Sequence, residues 1–273
     1  CCSFLSHPIL AAGSAGLVLA NRLSVNPYIS VCVIEAGKPD KNPLIHIPFG
    51  LAAIVRFKSL DWGYETVPQT ELNNRKLYWP RGKGLGGSSS INAMCYIRGA
   101  AQNYDEWKRL GAEGWDWKSV LPHFIHSENN QRGASALHGD AGPLPLSDNP
   151  DPNLLSRVFV EAGTQLQLPH NSDFNGADQF GVGLYQTTTK NGRRASTSAA
   201  YLRPVAERKN LFRITGALAR RILFDGKRAS GVEIQAGLSR ETLIAEREVL
   251  LCGGAINSPQ TLMLSGIGPA SHL

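Results

Sequence analysis

Residues Ala11–Ser24 read AAGSAGLVLANRLS, a glycine turn running into a helix. A phosphate-binding turn of the G-x-G-x-x-G type uses its first glycine for the tight turn. The second lets backbone approach a pyrophosphate, and the third packs the helix on the strand. Those positions here are Ala11, Gly13 and Gly16, so the glycine of the tight turn is the one replaced. If that position needs a positive φ, a Cβ costs about 1–2 kcal/mol, roughly tenfold in affinity.

The ten residues before the turn, CCSFLSHPIL, conflict with it. Such a turn has meaning directly after a buried parallel strand, whereas Pro8 cannot donate to a ladder and belongs at edges, strand starts or bulges. The first strand is therefore expected to be impaired more than the turn. The start at Cys1 is expected to lie mid-sequence or to be foreign to the fold. Phe4–Ala20 is apolar, but no basic segment precedes it, which argues against a signal peptide.

On the other side, Asn26-Pro27 turns the chain into ISVCVIEAG, residues Ile29–Gly37. A continuous apolar run of this kind suits a parallel strand buried on both faces. Strand, turn, a helix from Ser14 to about Leu23, and strand form one βαβ unit. Glu35 ends the second strand, where a carboxylate can bond both hydroxyls of an adenosine ribose and repels a 2′-phosphate. Gly13, Gly16 and Glu35 together point to an adenine dinucleotide.

The 273 residues, 42% hydrophobic and 18% charged, can bury one large core or two small ones. No apolar run is long enough to span a bilayer. The net charge of +6 is dispersed; Arg220-Arg221 and Lys227-Arg228 read as solvated strand ends, so no nucleic-acid partner is expected. The five cysteines form neither a CxxC pair nor a zinc spacing. Cys32 and Cys252 sit in apolar runs as small hydrophobes, which favours a reducing compartment, the cytoplasm.

Residues 38–80 are loop-rich, with prolines at 39, 43, 48, 68 and 80. Asn103–Glu106 has capping-box spacing and should open a short helix; Asp116 should cap a second. Residues 129–191 are rich in Gly, Pro, Asp and Asn and suggest a separate lobe. From Asn210 onward, NLFRITG, LARRILFDG, ASGVEIQAG and ETLIAEREVLLCGG read as successive strands, with a hairpin turn at Asp225-Gly226.

The stretch Gly82–Asn92 carries glycines at 82, 84, 86 and 87 and serines at 88, 89 and 90. Such a run exposes N–H groups and lets backbone lie flat against a planar or anionic ligand. It is not a Walker A loop, since Lys83 is followed by Gly84. No GxSxG or HExxH occurs, and His123 and His126 read as packing or surface residues and not as a metal pair. No metal is expected.

RGKGLGGSSSINAMCYIRG (residues 81–99) and GGAINSPQTLMLSGIG (residues 253–268) resemble the two signature motifs of the glucose-methanol-choline (GMC) flavoprotein oxidoreductases. NYDEW, LHGDAGPLPLS, DFNGADQFGVGLYQ, NGRRASTSAAYLRP and NLFRITG are similar to the choline-dehydrogenase-like branch. The resemblance implies an α/β fold: a Rossmann-like FAD-binding domain with part of a second α+β substrate lobe, truncated at the C-terminus. The expected division is an FAD-binding part over 1–128, with cover at 38–80, a partial substrate lobe over 129–209, and a second FAD-binding part over 210–273.

The resemblance also implies a cofactor, FAD, and site residues. Gly13 and Ser14 would approach the pyrophosphate, with Gly16 packing the helix, and Glu35 would hold the ribose. Gly84, Ser88, Asn92, Ala93, Met94 and Cys95 would line the flavin, and Ala219 would meet adenine through its main chain. Covalent members carry a His just before this Asn; Ile91 stands there, which implies non-covalent FAD. Thr261 replaces a usual aliphatic residue.

An alcohol oxidoreductase would pass a hydride from a small alcohol to the flavin, with a His as base that the family places beyond Leu273, so no catalytic residue is expected within the chain. A non-catalytic FAD-binding fragment, a folding-incompetent fragment and an NAD-dependent enzyme remain open alternatives.

Overall fold

The computed structural model describes residues 4–273; Cys1 and Cys2 lie outside the described residues. Two units divide the chain, one of residues 1–92 with 196–273 and one of residues 93–195.

In the first unit the chain enters as β1 (Phe4–Leu5) and β2 (His7–Leu10), then α1 (Ser14–Leu23) and β3 (Val31–Glu35). Short helices α2 (Pro43–His46) and α3 (Gly50–Arg56) follow. The second unit contributes α4 (Ala101–Arg109), α5 (Trp117–Ser127), β4 (Glu128–Asn130), β5 (Leu144–Leu146), α6 (Leu154–Gln165), β6 (Thr189–Lys190) and β7 (Arg193–Arg194). The chain returns in β8 (Leu211–Thr215), β9 (Ala217–Asp225), β10 (Arg228–Ala236), β11 (Ser239–Ala245), β12 (Leu250–Leu251) and α7 (Gly254–Leu264).

β12, β2, β3 and β8 form a parallel sheet in that order, with β2 and β3 at its centre. Alternation along its strands divides the core in two. Ile9, Val31 and Val33 face α1 and the Leu202–Val205 turn, packing on Ala12, Leu17 and Ala20. Leu10, Cys32 and Ile34 face the second sheet, β1-β11-β10-β9, through Ile222, Val232, Ile234 and Leu243.

The expected weakness of the first strand is overturned. His7–Leu10 is wholly buried and pairs on both sides. His7 N–H donates to Ser30 O and Ala11 N–H to Ile34 O, while Leu10 O accepts from Cys252 N–H. Odd residues therefore face β3, and Pro8 faces β12, whose ladder begins only opposite Ile9. Arg247 and Glu248 N–H donate to Ser6 O just before that ladder, so Pro8 leaves one gap on the β12 side while its register with β3 is unbroken.

Other expectations shift in detail. Asn103 does not begin its helix: it stands in the first turn of α4, and its Oδ1 accepts from Ala100 N–H at 3.1 Å. Asp116 does cap α5, accepting from Ser119 N–H. The hairpin turn falls between Asp225 and Arg228, with Gly226 at φ 56°. Arg220 and Arg221 lie mid-strand in β9 and pair across to Gln235 and Glu233 of β10.

The unit boundaries also differ from 128/129 and 209/210, because α4 and α5 belong with the second unit. There Arg98 reaches Glu128, the first residue of β4 directly after α5, and Glu128 Oε2 lies 2.9 Å from His138 Nδ1. At the other boundary, Tyr201 O accepts from Asn21 of α1 at 2.7 Å, tying residues after Ser196 to the first unit.

Candidate functional site

A cavity of about 800 Å³ opens in the first unit at the C-terminal ends of the parallel strands, the usual ligand position in open α/β sheets. Its floor is the turn singled out from sequence. Ala11 takes φ 80°, a conformation that favours glycine. A Cβ on Gly16 would stand 2.1 Å from Ala11 O, so only glycine lets α1 pack this closely.

The loop Gly82–Ser90 is bonded to that turn. Gly86 N–H donates to Ala12 O at 2.8 Å, and a Cβ on Gly87 would stand 2.7 Å from Gly13 Cα. Serine hydroxyls hold the loop internally: Ser90 Oγ donates to Leu85 O, Ser89 Oγ to Gly86 O, and Ser88 Oγ accepts from Gly82 N–H.

Glu35 is 4% exposed and lines the cavity. Its Oε2 accepts from Ala12 N–H at 2.9 Å and its Oε1 from Gly37 N–H at 2.8 Å. Burial pushes its carboxyl above the usual range, partly offset by those backbone bonds.

Two helices end on this space. Both α1 and α7 begin at the cavity, neither has a capping side chain, and neither carries an acid in its first turn. Their first N–H groups are thus left for an anionic ligand. Glu35 is the one carboxylate among the described lining residues, set against Arg81 and Arg220. This donor set, with a flat glycine cradle and one carboxylate, fits a dinucleotide that carries a pyrophosphate and a ribose.

Of the residues expected from sequence, Gly13, Ser14, Glu35, Ser88 and Ala219 line this cavity. Gly16 lies beneath it, under α1. Gly84 borders a separate small space beside Lys38 and Leu85. Asn92 is exposed, while Ala93, Met94 and Cys95 belong to the second unit, with Met94 at φ 64°. Ile91 is buried beside the loop at 6% exposure.

Trp62, Tyr64 and Asn257 also line the cavity and were not anticipated. Residues 61–82 fold back as a strap through bridges Asp61↔Gly82 and Glu65↔Tyr78. Trp62 and Tyr64 stack with centroids 5.9 Å apart, and Tyr64 OH donates to Asn257 Oδ1 of α7 at 3.0 Å. Asp61 Oδ2 accepts from Tyr78 OH, and burial together with that carboxylate pushes Tyr78 up to about 12. The aromatic pair two residues apart was the available signal.

Comparison with known proteins gives the same frame. The alcohol dehydrogenase [acceptor] of Pseudomonas putida is 50% identical over 268 residues, 97% of this chain and 49% of that protein. The oxygen-dependent choline dehydrogenase of Brucella suis is 47% identical over 265 residues, 97% of this chain and 48% of its own. The crystal structure of pyridoxine 4-oxidase from Mesorbium loti superposes with a TM-score of 0.93 at 36% identity, covering 98% of this chain and 53% of that one. An FAD-dependent oxidoreductase from Chaetomium thermophilum gives 0.91 at 31% identity, with 98% and 48% covered. The chain thus spans about half the length of the curated relatives it matches. Residues 9–273, from the buried strand through the glycine loop to α7, match the family described as GMC oxidoreductase, and the chain belongs to that family.

Proposed function

We propose that this chain holds FAD non-covalently in the first-unit cavity, as the cofactor-binding part of an oxidoreductase acting on the CH–OH group of a small alcohol. The observation that carries this is the convergence of two uncapped helix N-termini, a glycine backbone cradle and Glu35 on one cavity. The α1 N-terminus and Gly13 would hold the pyrophosphate, Glu35 the adenosine ribose, and Ala219 the adenine edge. FAD, when bound, supplies the hydride acceptor for alcohol oxidation. Ile91, where covalent members carry His, offers no nucleophile for attachment.

A second reading concerns this chain alone: it binds FAD without turning over an alcohol. Removal of the hydroxyl proton near neutral pH usually falls to a histidine, and no imidazole is among the described residues lining the cavity. Loading the 273-residue chain with FAD should give a flavin spectrum, and acid precipitation should leave the fluorescence in the supernatant. Anaerobic mixing with choline-like, aryl and aliphatic alcohols should not bleach it. Fluorescence retained in the pellet would refute non-covalent attachment, and rapid bleaching would refute the second reading.

A further inference from the structure

We infer that His138 is a pH-sensitive clasp: with both ring nitrogens protonated it ties residues 169–182 to the buried polar centre of the second unit, and loss of one ring proton releases them. His138 is buried. Its Nδ1 lies 2.9 Å from Glu128 Oε2 and its Nε2 lies 2.9 Å from Asp173 Oδ2. Carboxylate oxygens only accept, and a neutral imidazole has a single N–H. An imidazolium donates to both.

Both acids are also held by other donors. Glu128 Oε1 accepts from Arg98 Nε at 3.0 Å, the two side chains being fully buried, and Asp173 Oδ1 accepts from Asn175 N–H at 3.0 Å. With a charged ring these groups balance, Arg98 and His138 against Glu128 and Asp173. A neutral ring leaves one carboxylate without a cation, which is costly away from water. The remaining groups that face the ring change this little. Asn130 Nδ2 and Arg98 Nη2 are 3.2 and 3.5 Å from Nδ1, farther than Glu128 Oε2, and the Asn130 amide exchanges bonds with Gln186. His170 and Asp178 line the same space as His138 from the segment itself, and Arg132 donates to Ser172 O while pairing with Asp148.

The two carboxylates differ in access to water. Glu128 has none, whereas the Asp173 side chain is 31% exposed and can be hydrated. The last ring proton therefore stays toward Glu128, and the contact to Asp173 is the one that breaks. Residues 169–182 depend on that contact. Only Asn175 and Val182 among them are buried, and their only ladder is the isolated bridge His170↔Val182. Apart from Asp173, they are fixed by Arg132 at Ser172 and by Asn175, which accepts from Arg98 N–H at 2.8 Å and donates to Tyr96 O at 3.1 Å. An irregular segment held by polar contacts opens at low cost, and this one walls a space of about 450 Å³ beside His138. The closed segment holds the ring proton more firmly than the open one, so closure is favoured at low pH and lost as pH rises.

Hydrogen exchange of the full chain, corrected for its intrinsic pH dependence, tests the clasp. From about pH 5 to about pH 9, spanning the range in which histidine side chains titrate, protection over residues 171–182 should fall. The fall should be about tenfold or more, the scale of one charge-assisted hydrogen bond, while the β4–β5 amides keep their protection. Nitrogen NMR of the His138 ring should show both nitrogens protonated while the segment is closed. Asp173→Asn keeps an oxygen for Asn175 N–H and turns an NH2 toward Nε2, so that a neutral ring accepts from it; in this variant protection should not fall with pH. Protection that is flat with pH in the wild type, or a fall shared by β4–β5, would overturn the proposal. So would a neutral ring in the closed segment, or the same fall in Asp173→Asn.

Discussion

At residue scale the site turns on Ala11 and Glu35. Ala11 holds φ 80° without glycine's freedom, a strain of about 1–2 kcal/mol. The next peptide is fixed by Glu35, whose carboxylate accepts Ala12 N–H with one oxygen and Gly37 N–H with the other. Glu35 thus braces the strained turn as well as facing the cavity. Ala11→Gly is expected to stabilise the chain by about 1 kcal/mol. Glu35→Gln should cost more in the wild type than in the Ala11→Gly background, because the relaxed turn leans less on the carboxylate; a double-mutant cycle on Tm measures the difference. Equal costs in the two backgrounds would remove the bracing role. Burial raises the folded carboxyl of Glu35 above its ordinary value. Between those two values the native state binds more protons than the unfolded chain, so this residue's contribution makes stability fall as pH rises. The Tm difference between wild type and Glu35→Gln should therefore change across that window, and a parallel pair of Tm–pH curves would contradict it.

At element scale, the strand β2 shows what ladder direction adds to composition. A proline read as disqualifying is accommodated because its missing donor lies on the β12 side, in a single gap between the Ser6 bonds and the β12 ladder, and leaves the register with β3 intact. Pro8→Val should change stability by under about 1 kcal/mol and leave FAD occupancy unaltered, whereas Gly16→Ala should lose about 1–3 kcal/mol by forcing α1 away from Ala11 O. Urea unfolding and flavin titration of the two variants decide it, and comparable losses would mean that β2 is the weak element after all. The βαβ unit was legible because its apolar run, glycine spacing and terminal carboxylate each have a local cause. The strap 61–82 was not: its order comes from isolated bridges and the Asp61 carboxylate, which leave no period in the sequence. Gly84 shows a related limit, since a glycine-rich run announces close backbone approach without saying to what. Here it meets Lys38, whose O would lie 2.9 Å from a Cβ at that position.

At the scale of the whole molecule, the two units are held by different forces. The first has two apolar clusters on either side of a parallel sheet. The second has a buried polar centre: Arg98 and Glu128 have fully buried side chains and pair through the guanidinium. Glu128 Oε2 and Asp173 Oδ2 each lie 2.9 Å from a ring nitrogen of His138, and Asn130 and Gln186 exchange amide bonds beside it. Sequence composition suggested a separate lobe but hid this centre, because its members are spread from Arg98 to Gln186 and the bonds among them span up to 56 positions. Removing one partner of a buried pair leaves an uncompensated charge, at about 3–5 kcal/mol. Arg98→Met should therefore loosen residues 93–195 selectively, seen as faster hydrogen exchange there with the β2–β3 amides unchanged. Arg98→Met combined with Glu128→Leu should recover much of the loss, since two apolar side chains of similar volume need no partner. If the double variant is no better than the single, Glu128 is held mainly by bonds other than that to Arg98, and the centre of this unit is His138.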